Sequence, residues 1–550
     1  MDVNNLLAEH QLVIVDSLMG TGKTTAMMKV IDQFRDRRFI FVTPLLDEVD
    51  RVKNETSRKM YSPDKEPTKL DAFHTLLRQK RNIAMTHKLF LNANDETVQL
   101  IKKGGYCLVL DEELSVLQRY NDHLPEAQKK SKYISSSDVK KVLLNENWIS
   151  ICTDKGWRYG QVEWVATDKS DTKYSEVEHF AKLHQLYCVI GSDKEGTNAS
   201  KKPKEWTLYW EFDPAVFRAF QNIFVLSYLF EGSKLNAYFH IHGFVPHFVS
   251  AKMIGERESV LIPYADDPSA RKALAPLIKL YVGKHNDIGI RHDRLGRESQ
   301  RALSINHLTT LSKTDAKAIV DAMYNFYKNF AKCTSQYVLW TTAKGAAREF
   351  AQEFEEALDA EERKNSKKFA KIYMQGAEHT LKADLRDAEI SKFNAELRRK
   401  RQELAMLETA NSKRKLTGAK RCRYVLLKQQ LEDQTERTDA YYSTFLAHSS
   451  KATNAYADRT CLLYMINRMM APGISSFFAM RGYEIEPDRW ALSEMIQWIW
   501  RGAIRKGQPI CLFVPSYRMR KLLLDWLGVD ESYYKPQRGR PKKVKENAEC

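Results

Sequence analysis

Short runs of apolar residues, each ending in a polar or glycine-containing loop, recur through the first part of the chain. Residues 12–15, 39–42, 107–110 and 223–226 each have four consecutive apolar side chains. Runs of this length without polar alternation are typical of strands buried on both faces, as in a parallel sheet covered by helices. The pattern therefore predicts an α/β domain around a central parallel sheet.

The same pattern starts again in the second half of the chain. Apolar runs within 259–263, 337–342 and 509–514 alternate with charged stretches of helical length, which indicates a second α/β domain. The expected domains are residues 1–255, with an accessory insertion at about 115–215, and residues 256–530, with a helical insertion at about 345–445. Residues 531–550 form a basic tail whose composition predicts disorder.

The helical insertion is highly charged, and its apolar residues follow a helical period. They are Ile390, Phe393, Leu397, Leu404 and Leu407, followed after a break near Thr417 and Gly418 by Tyr424, Leu427 and Leu431. This spacing predicts an antiparallel helical hairpin. Lysines and arginines cluster near its bend. Such charge is usually a solvated surface, but it also suits an arm that grips nucleic acid or contacts replication partners.

The composition predicts a basic protein without membrane segments. The formal net charge is +17 and the pI is about 9.2, which favours a polyanionic partner, with nucleic acid as the first candidate. No run of about 18 apolar residues is present and the first residues lack a signal-peptide layout, so we expect no membrane partner and a cytoplasmic location. The 8 cysteines include no C-x-x-C pair, which indicates neither a zinc site nor a disulfide framework.

A group of histidines follows the fourth apolar run. His240, His242 and His247 have a spacing that metal ligands also show, but the segment between Tyr238 and Phe248 is rich in aromatic residues. We interpret it as a strand packed in a core rather than as a metal site.

The first apolar run leads directly into residues 17–25, with the sequence SLMGTGKTT. A buried strand followed by a glycine loop and a helix start turns backbone N–H groups and the positive end of the helix dipole towards one point, which favours phosphate. Gly20 and Gly22 let the backbone curl around the anion, Lys23 supplies charge, and the Thr24 hydroxyl can bind Mg²⁺. The residues expected to bind ATP are Ser17, Gly20, Thr21, Gly22, Lys23, Thr24 and Thr25.

A pair of carboxylates follows the apolar run at 107–110. Asp111 and Glu112 stand at its C-terminal end, which is the edge of a parallel sheet where ligand chemistry is found. Asp111 is expected to hold Mg²⁺ with Thr24, and Glu112 to orient or deprotonate the attacking water. An acidic pair at a strand end can also cap a helix, but its position after a phosphate-binding loop favours a catalytic role together with Lys23.

These segments resemble motifs of the superfamily 2 helicases, of the DEAD/DEAH-like type encoded by phages or mobile elements. The loop reads Ser-x-x-Gly-x-Gly-Lys-Thr, which is similar to motif I, and Asp111 with Glu112 resembles the Asp-Glu-x-x box. The resemblance implies two RecA-like P-loop domains that hold ATP and Mg²⁺ between them. Residues 227–233 occupy the place of motif III, and Thr341, Thr342 and Lys344 that of motif IV.

Three further segments match family motifs that contact nucleic acid. Taken alone, the first of them, motif Ia, could be an ordinary corner between a strand and a helix. The residues that the resemblance implies as nucleic-acid contacts are Thr43, Pro44 and Arg51 in motif Ia, Thr86 and His87 in motif Ib, and Thr453 and Asn454 in motif V.

The resemblance also reaches a stripe of polar residues near the C-terminal end. Gln497, Arg501 and Arg505 are spaced four apart, which predicts that they share one helix face. The stripe is similar to motif VI, Gln-x-x-Gly-Arg-x-x-Arg, although Trp500 replaces the glycine and the last arginine comes one place late. We favour Arg505 as the arginine that reaches the γ-phosphate, with Arg501 as the second candidate.

The tail contains the sequence RGRP, with Arg538 and Arg540 on either side of a glycine. It resembles the core of an AT-hook, whose arginines enter a narrow A·T minor groove. A nonspecific basic tail that binds DNA phosphates is the alternative.

The ordered motifs imply an ATP-dependent DNA helicase or translocase that acts in phage or mobile-element DNA replication, in the cytoplasm of a bacterial host. Single-stranded and duplex DNA are the expected partners, with RNA as a further candidate. The alternative is an ATP-switched DNA-binding protein, such as an origin-recognition or regulatory factor, that does not separate strands. A P-loop packaging motor is disfavoured because the sequence shows no clustered acidic site for a nuclease.

Overall fold

The computed structural model describes most of the chain. The described residues are 3–64, 67–124, 131–167, 173–191, 205–255, 258–290, 301–308, 311–333, 337–343, 399–411, 418–431, 446–448 and 456–535. The first of two units comprises Met1–Asp267 and Arg468–Gln497, and the second comprises the described parts of Pro268–Ser450 and Asn454–Asn467 and continues from Trp498.

The strands of the first unit form one large sheet and two smaller ones. The strands are β1 (Leu12–Asp16), β2 (Arg38–Thr43), β3 (Ile83–Thr86), β4 (Tyr106–Asp111), β5 (Leu117–Arg119), β6 (Ile149–Ile151), β7 (Val162–Trp164), β8 (Leu186–Gly191), β9 (Glu205–Glu211), β10 (Asn222–Ser227), β11 (Pro246–Gly255) and β12 (Glu258–Pro263).

The helices of the first unit are Val3–Glu9, Lys23–Gln33, Leu46–Glu55, Lys69–Arg78, His87–Phe90, Asp95–Gly104, Tyr120–His123, Ser175–Lys182, Pro214–Arg218, Lys234–Ile241, Pro472–Ala479 and most of Pro487–Ile499. A π-helical segment spans Asp138–Leu144, and a 3₁₀ turn spans Phe230–Gly232.

The large sheet has the order β12-β11-β1-β10-β4-β2-β3. All its pairings are parallel except that of β11 with β12. The residues of β1, β2, β4 and β10 are buried, as their unbroken apolar sequences predict, apart from Arg38 and Asp111, which are partly exposed. This order puts β10 between β1 and β4, so the carboxyl ends of these three strands lie side by side.

The helices that cover this sheet complete its core. Met27 and Ile31 of helix Lys23–Gln33 pack with Val13 and Val15 of β1 and with Phe41 of β2. Apolar residues at i and i+4 on one helix face explain why this helix lies on the sheet. Burial of such side chains contributes roughly 1.5–3 kcal/mol each to folding, which fixes the strand that leads into the glycine loop.

The accessory insertion forms its own small core. Strands β5, β9 and β8 make an antiparallel sheet and β6 pairs with β7. Trp148 packs edge-on against Trp164 and Tyr174, within a cluster that also contains Val177 and Leu186. The expected insertion therefore lies in the first unit as a separate apolar layer.

The first unit differs from the expected range 1–255 in two respects. Strand β12, which we expected to begin the second domain, pairs antiparallel with β11 and extends the first unit to Asp267. A two-residue connection favours antiparallel pairing of adjacent strands over the start of a new sheet. Residues 468–497, expected in the second domain, group with the first unit, and no local sequence pattern announces this return of the chain.

The second unit contains a parallel sheet with the order β13-β16-β15-β14. Its strands are β13 (Ile278–Leu280), β14 (Val338–Thr341), β15 (Cys461–Tyr464) and β16 (Ile510–Phe513). Its helices are Pro268–Lys272, Ile305–Leu308, Lys313–Asn325, 399–411, Gly418–Leu431 and Tyr517–Leu527, with a π-helical segment at Phe326–Ala331 and 3₁₀ turns at Ala275–Leu277, Lys284–Gly289, Ala503–Lys506 and Glu531–Tyr534.

The hairpin insertion is represented by two described helices. Arg423 of helix Gly418–Leu431 donates to both carboxylate oxygens of Glu403 in helix 399–411, at 2.8 and 2.9 Å. Both residues are solvent-exposed, so this pair sets the pairing of the helices rather than contributing much stability. The two parallel sheets and this helix pair confirm the predicted α/β fold with an inserted helical hairpin.

Candidate active site

The glycine loop after β1 has the left-handed backbone that its sequence predicts. Gly20 and Gly22 have φ values of 89° and 81°, in the region that other residues rarely adopt. Space also requires glycine at 22, because a Cβ there would lie 2.4 Å from Met253 Sδ and 2.7 Å from Ser259 Cβ. The loop is therefore packed between the P-loop helix, Lys23–Gln33, and the hairpin of β11 and β12.

Lys23 is the first residue of the P-loop helix, and its ammonium lies over the loop. It donates to the carbonyls of Ser17 at 2.5 Å and Leu18 at 3.2 Å. The positive charge is thus at the mouth of the loop, next to the N-terminal end of the helix. Both features favour an anion at this point.

The side-chain hydroxyls of Ser17 and Thr21 form hydrogen bonds that hold the glycine loop in place. Ser17 Oγ accepts from the backbone N–H of Ala251 in β11 at 2.7 Å, and Thr21 Oγ1 donates to the carbonyl of Leu18 at 2.8 Å. These contacts hold the loop in shape. Thr25 is half-buried in the first turn of the helix.

Thr24 and Asp111, 87 residues apart, meet at the carboxyl edge of the large sheet. Thr24 Oγ1 lies 3.4 Å from each carboxylate oxygen of Asp111. The sheet order explains this proximity, because only β10 separates the strand before the loop from the strand that ends at Asp111. A hydroxyl and a carboxylate at this spacing are oxygen ligands of the kind that Mg²⁺ prefers.

The electrostatic surroundings of Asp111 disfavour its ionised form. Burial raises the pKa of Asp111 to about 7, and the carboxylates of Glu112 and Glu48 act in the same direction, against Lys23 and Arg51. A bound cation would offset this cost, because an opposite charge at close range favours the carboxylate. The residues present therefore fit a divalent metal ion at this position.

Two residues at the carboxyl edge of the large sheet have a strained backbone. Glu112 and Leu229 have φ values of 66° and 55°, which are uncommon for residues with large side chains. The N–H of Glu112 donates to the carbonyl of Leu226 in β10 at 3.1 Å. Strained residues of this kind cluster at functional sites, where the surrounding structure holds them in place.

Asp16, the last residue of β1, holds the strained backbone at Leu229. It was not among the predicted site residues. Its carboxylate accepts from the backbone N–H groups of Leu229 at 2.9 Å and Phe230 at 3.1 Å. Burial raises the pKa of Asp16 above its ordinary value, and the two N–H groups oppose this shift. A charged residue that ends an apolar run was the signal that could have found it.

The predicted motif Ib residues turn towards the protein interior. Thr86 caps helix His87–Phe90 by accepting from the N–H of Leu89 at 3.4 Å. The Nε2–H of His87 donates to the carbonyl of Asp111 at 3.0 Å, and His87 is buried. In this structure both side chains support the carboxyl edge of the sheet.

The predicted motif Ia residues lie at the end of β2. Thr43 is fully buried, and Pro44 is half-buried. Arg51 in helix Leu46–Glu55 pairs with Glu48 at 2.7 Å and with Glu55 at 3.4 Å. Their contact with nucleic acid stays a prediction.

The expectation that the motif VI residues share one helix face is wrong. Helix Pro487–Ile499 ends before Arg501, and Arg505 lies in the 3₁₀ turn Ala503–Lys506. Gly502 has an extended backbone, with φ −79° and ψ −170°, and the N–H of Ala503 donates to the Arg459 carbonyl at 2.8 Å, so the chain leaves the helix before Arg505. Arg501 is buried and Arg505 is half-buried.

Other predicted residues are placed as follows. Gln497 donates to Ser493 Oγ at 3.1 Å, Thr341 is fully buried at the end of β14, and Thr342 donates to the Met465 carbonyl at 3.2 Å. Lys344, Thr453, Asn454, Arg538 and Arg540 lie outside the described residues.

The first part of the histidine segment is helical, which corrects the predicted strand there, whereas His247 and Phe248 lie in β11. His240 lies in helix Lys234–Ile241 and His242 at its end, with His242 Nε2 3.1 Å from Glu211 Oε1. His247 stacks on His10 with ring centroids 3.8 Å apart. Ser233 caps the helix by accepting from the N–H of Asn236 at 2.9 Å, which favours a helix start over the predicted strand.

Two features are absent from the described residues. No three or more His, Cys, Asp or Glu side chains of this part of the chain converge as metal ligands. No helix within it combines the length and apolar character needed to span a bilayer.

Comparison with known proteins finds similarity along nearly the whole chain. Residues 272–379 and 355–527 match the family described as the YonV C-terminal Rossmann-like domain. Over 534 residues the chain is 29% identical to the SPbeta prophage-derived uncharacterized protein YonV of Bacillus subtilis (strain 168), covering 94% of this chain and 99% of that protein.

Solved structures give weaker matches. An XPD helicase aligns with a TM-score of 0.42 at 10% identity, covering 96% of this chain and 97% of the other. An apo XPD aligns with a TM-score of 0.42 at 11% identity over 94% and 96%, and Xpd4 of S. tokodaii with 0.37 at 12% over 96% of each chain. The chain is thus similar to a prophage-derived protein, and its second unit to a Rossmann-like domain.

Proposed function

We propose that the protein is an ATP-hydrolysing enzyme whose active site lies at the carboxyl edge of the large sheet. The observation that carries the proposal is the approach of Thr24 Oγ1 to both oxygens of Asp111, at 3.4 Å, beside a left-handed glycine loop. A P-loop hydroxyl and a carboxylate from a nearby strand form the donor pair that holds Mg²⁺ in such enzymes.

Each residue of the site has a chemical task in this proposal. The N–H groups of the loop around Gly20 and Gly22 bind the phosphates of ATP, and Lys23 exchanges its carbonyl partners for phosphate oxygens. Thr24 and Asp111 hold Mg²⁺. When bound, the metal supplies positive charge that neutralises the phosphate oxygens. Glu112 orients the attacking water and accepts its proton.

The finer proposal is that hydrolysis drives movement along DNA or its unwinding, in phage or mobile-element replication. Its support is the order of the helicase-like motifs, the net charge of +17 and the similarity to a prophage-derived protein. Charge of this sign suits a phosphate backbone, including that of RNA. Arg505, with Arg501 second, is proposed to stabilise the transition state of hydrolysis.

The test is a hydrolysis assay with single-stranded DNA, duplex DNA and RNA as stimulants. Lys23→Ala should abolish turnover, because the site loses its main cation. The matched control is Lys29→Ala in the same helix, since Lys29 is exposed and pairs with Glu258 at 2.6 Å. Equal turnover of Lys23→Ala and the wild-type protein would refute the ATPase proposal.

A strand-displacement assay separates the motor from its alternative. A helicase releases a labelled strand from a partial duplex only when ATP is hydrolysed. A protein that uses ATP merely to change its affinity for DNA would show nucleotide-dependent binding without strand release. That second result would reject unwinding and favour the ATP-switched DNA-binding protein.

A further inference from the structure

A solvent-exposed loop of the accessory insertion presents an aromatic ring among charged side chains. Trp157 is 46% exposed, and Lys155 and Arg158 beside it are exposed. Asp154 lies in the same loop, and Arg158 pairs with Glu163 at 2.8 Å. An exposed indole next to cationic groups is the kind of surface on which the bases of a single strand stack without sequence preference.

The backbone of this loop is held by an arginine that is remote in sequence. Arg481 Nε donates to the carbonyl of Trp157 at 3.1 Å, and its Nη2 donates to the carbonyl of Tyr159. The guanidinium lies over the rings of Phe477 and Tyr187, 3.6 and 4.6 Å from their centroids. Arg481 is buried, and its Nη1 donates to the Phe477 carbonyl at 2.5 Å, so the loop cannot shift without disturbing the two bonds that Nε and Nη2 make to it.

The same segment, residues 477–493, reaches the strained loop at the active site. Arg489 forms an ion pair with Glu231, and Ser493 Oγ donates to the carbonyl of Tyr228 at 3.3 Å. At Gly232 a Cβ would lie 2.9 Å from the backbone of Arg489. This close approach leaves no room for the two backbones to slide past each other.

The contacted loop is attached to the glycine loop through Asp16. Leu229 and Phe230 donate to the Asp16 carboxylate, and the charges of Lys23 and Arg489 both act on that carboxylate. A continuous series of contacts therefore connects the Trp157 loop to the end of β1, directly before the phosphate-binding loop. All of these residues belong to the first unit.

We propose that the Trp157 loop binds a single strand of nucleic acid by base stacking, and that residues 477–493 transmit its occupancy to the active site. The effect on turnover rests on the ATPase proposed above, whereas the stacking site does not. When a bound strand orders the Trp157 loop, the hydrogen bonds of Arg481 hold residues 477–493 in place. This segment in turn fixes Glu231 and the strained backbone at Leu229. Arg489 and Glu231 are positioning residues in this scheme.

Binding is measured by the fluorescence anisotropy of labelled oligothymidylate and oligouridylate. Trp157→Ala should weaken binding roughly 5- to 150-fold, the range for loss of one stacked base. The matched control is Tyr533→Ala, which removes an aromatic ring that is 51% exposed in the second unit. Unchanged affinity of Trp157→Ala, or an equal loss in both variants, would overturn the stacking site.

Transmission is measured as the ratio of turnover with and without oligothymidylate at saturating concentration. Arg489→Glu places like charges at Glu231 and should lower this ratio by about 2- to 30-fold. The exchanged pair, Arg489→Glu with Glu231→Arg, should restore it, because the ion pair is formed again; a merely structural role would instead appear as a lower melting temperature of Arg489→Glu. Because the pair is half-exposed, all variants should melt at similar temperatures.

The results separate the two proposals. A wild-type ratio in Arg489→Glu, or failure of the exchanged pair to restore the ratio, would overturn the transmission. If the wild-type protein hydrolyses no ATP, the proposed function and the transmission both fall, while the anisotropy experiment still decides whether Trp157 binds a single strand.

Discussion

Replacement of Asp111 by asparagine is expected to stabilise the protein at pH 8 while abolishing its activity. The carboxylate is buried near Glu112 and Glu48, and its pKa is raised to about 7. Asparagine has nearly the same shape but no charge. The variant therefore removes an unfavourable buried charge without leaving a cavity.

The magnitude follows from the difference in pKa between the folded and unfolded states. An unfolded aspartate titrates near about 3.9, and each unit of difference corresponds to about 1.36 kcal/mol. A folded pKa of about 7 thus sets an upper limit of ~4 kcal/mol on the cost of ionisation. Asp111 retains intermediate solvent exposure, which screens the charge, so we expect a gain on the order of 2 kcal/mol in the variant.

The sign of the pH dependence is fixed by linkage. Between about pH 4 and pH 7 the folded state of the wild-type protein binds more protons at Asp111 than the unfolded state, so this residue lowers stability as the pH rises. Below pH 4 both states are protonated and the variant has no advantage. The gain of Asp111→Asn should therefore develop between pH 4 and pH 7 and stay constant above.

The assay is thermal unfolding at pH 5 and pH 8, without nucleotide and with a chelator. About 2 kcal/mol corresponds to roughly 4–8 °C in Tm for a domain of this class. Asp50→Asn is the control, because Asp50 is exposed in helix Leu46–Glu55. A variant less stable than the wild-type protein at pH 8 would refute the reasoning and make Asp111 a structural carboxylate.

Further predictions concern turnover and the tail. Glu112→Gln should bind ATP, measured by equilibrium dialysis, but hydrolyse it roughly 10²–10⁴-fold more slowly, because a general base is lost; absence of nucleotide binding would indicate a structural Glu112. Arg505→Ala should lower kcat by about 10³ or more with little effect on the ATP KM, and the same result in Arg501→Ala alone would exchange their roles. Deletion of residues 535–550 should flatten the salt dependence of duplex binding by about one unit of slope per lost phosphate contact. Maximal DNA-stimulated turnover should stay unchanged. Unaltered duplex affinity at low salt would reject a DNA-binding tail. Loss of a preference for A·T-rich duplex on this deletion would favour the AT-hook.

The sequence was sufficient to locate the glycine loop after β1 and the acidic pair after β4. Both depend on local rules. A short run of apolar residues such as 12–15, followed by a glycine loop, favours a strand in a covered sheet, and Gly20 and Gly22 suit a backbone with positive φ. The strand that ends in Asp111 and Glu112 follows the same rule. Features of this kind depend on residues that are adjacent in the sequence, so they can be predicted without a structure.

The approach of Thr24 to Asp111 was decided by the tertiary structure. It depends on the placement of β10 between β1 and β4, which is a long-range pairing that no local pattern encodes. The same holds for the partners of Asp16: the sequence shows a charged residue at the end of an apolar run, but its contacts with Leu229 and Phe230 exist only in the folded chain. The separate turn that contains Arg505 is also held by a tertiary contact, the hydrogen bond from the N–H of Ala503 to the Arg459 carbonyl at 2.8 Å.

The assignment of residues 468–497 to the first unit is the clearest case of a feature that the local sequence pattern does not encode. Their apolar pattern predicts helices, and helices Pro472–Ala479 and Pro487–Ile499 are present. Which core they pack on depends on surfaces formed by residues hundreds of positions earlier, such as Trp157, Tyr187 and Glu231. The sequence by itself determined the helices and strands and the polar side chains at the ends of the strands. Which segments pack together was decided by burial of apolar surface and by ion pairs that exist only once the chain has folded.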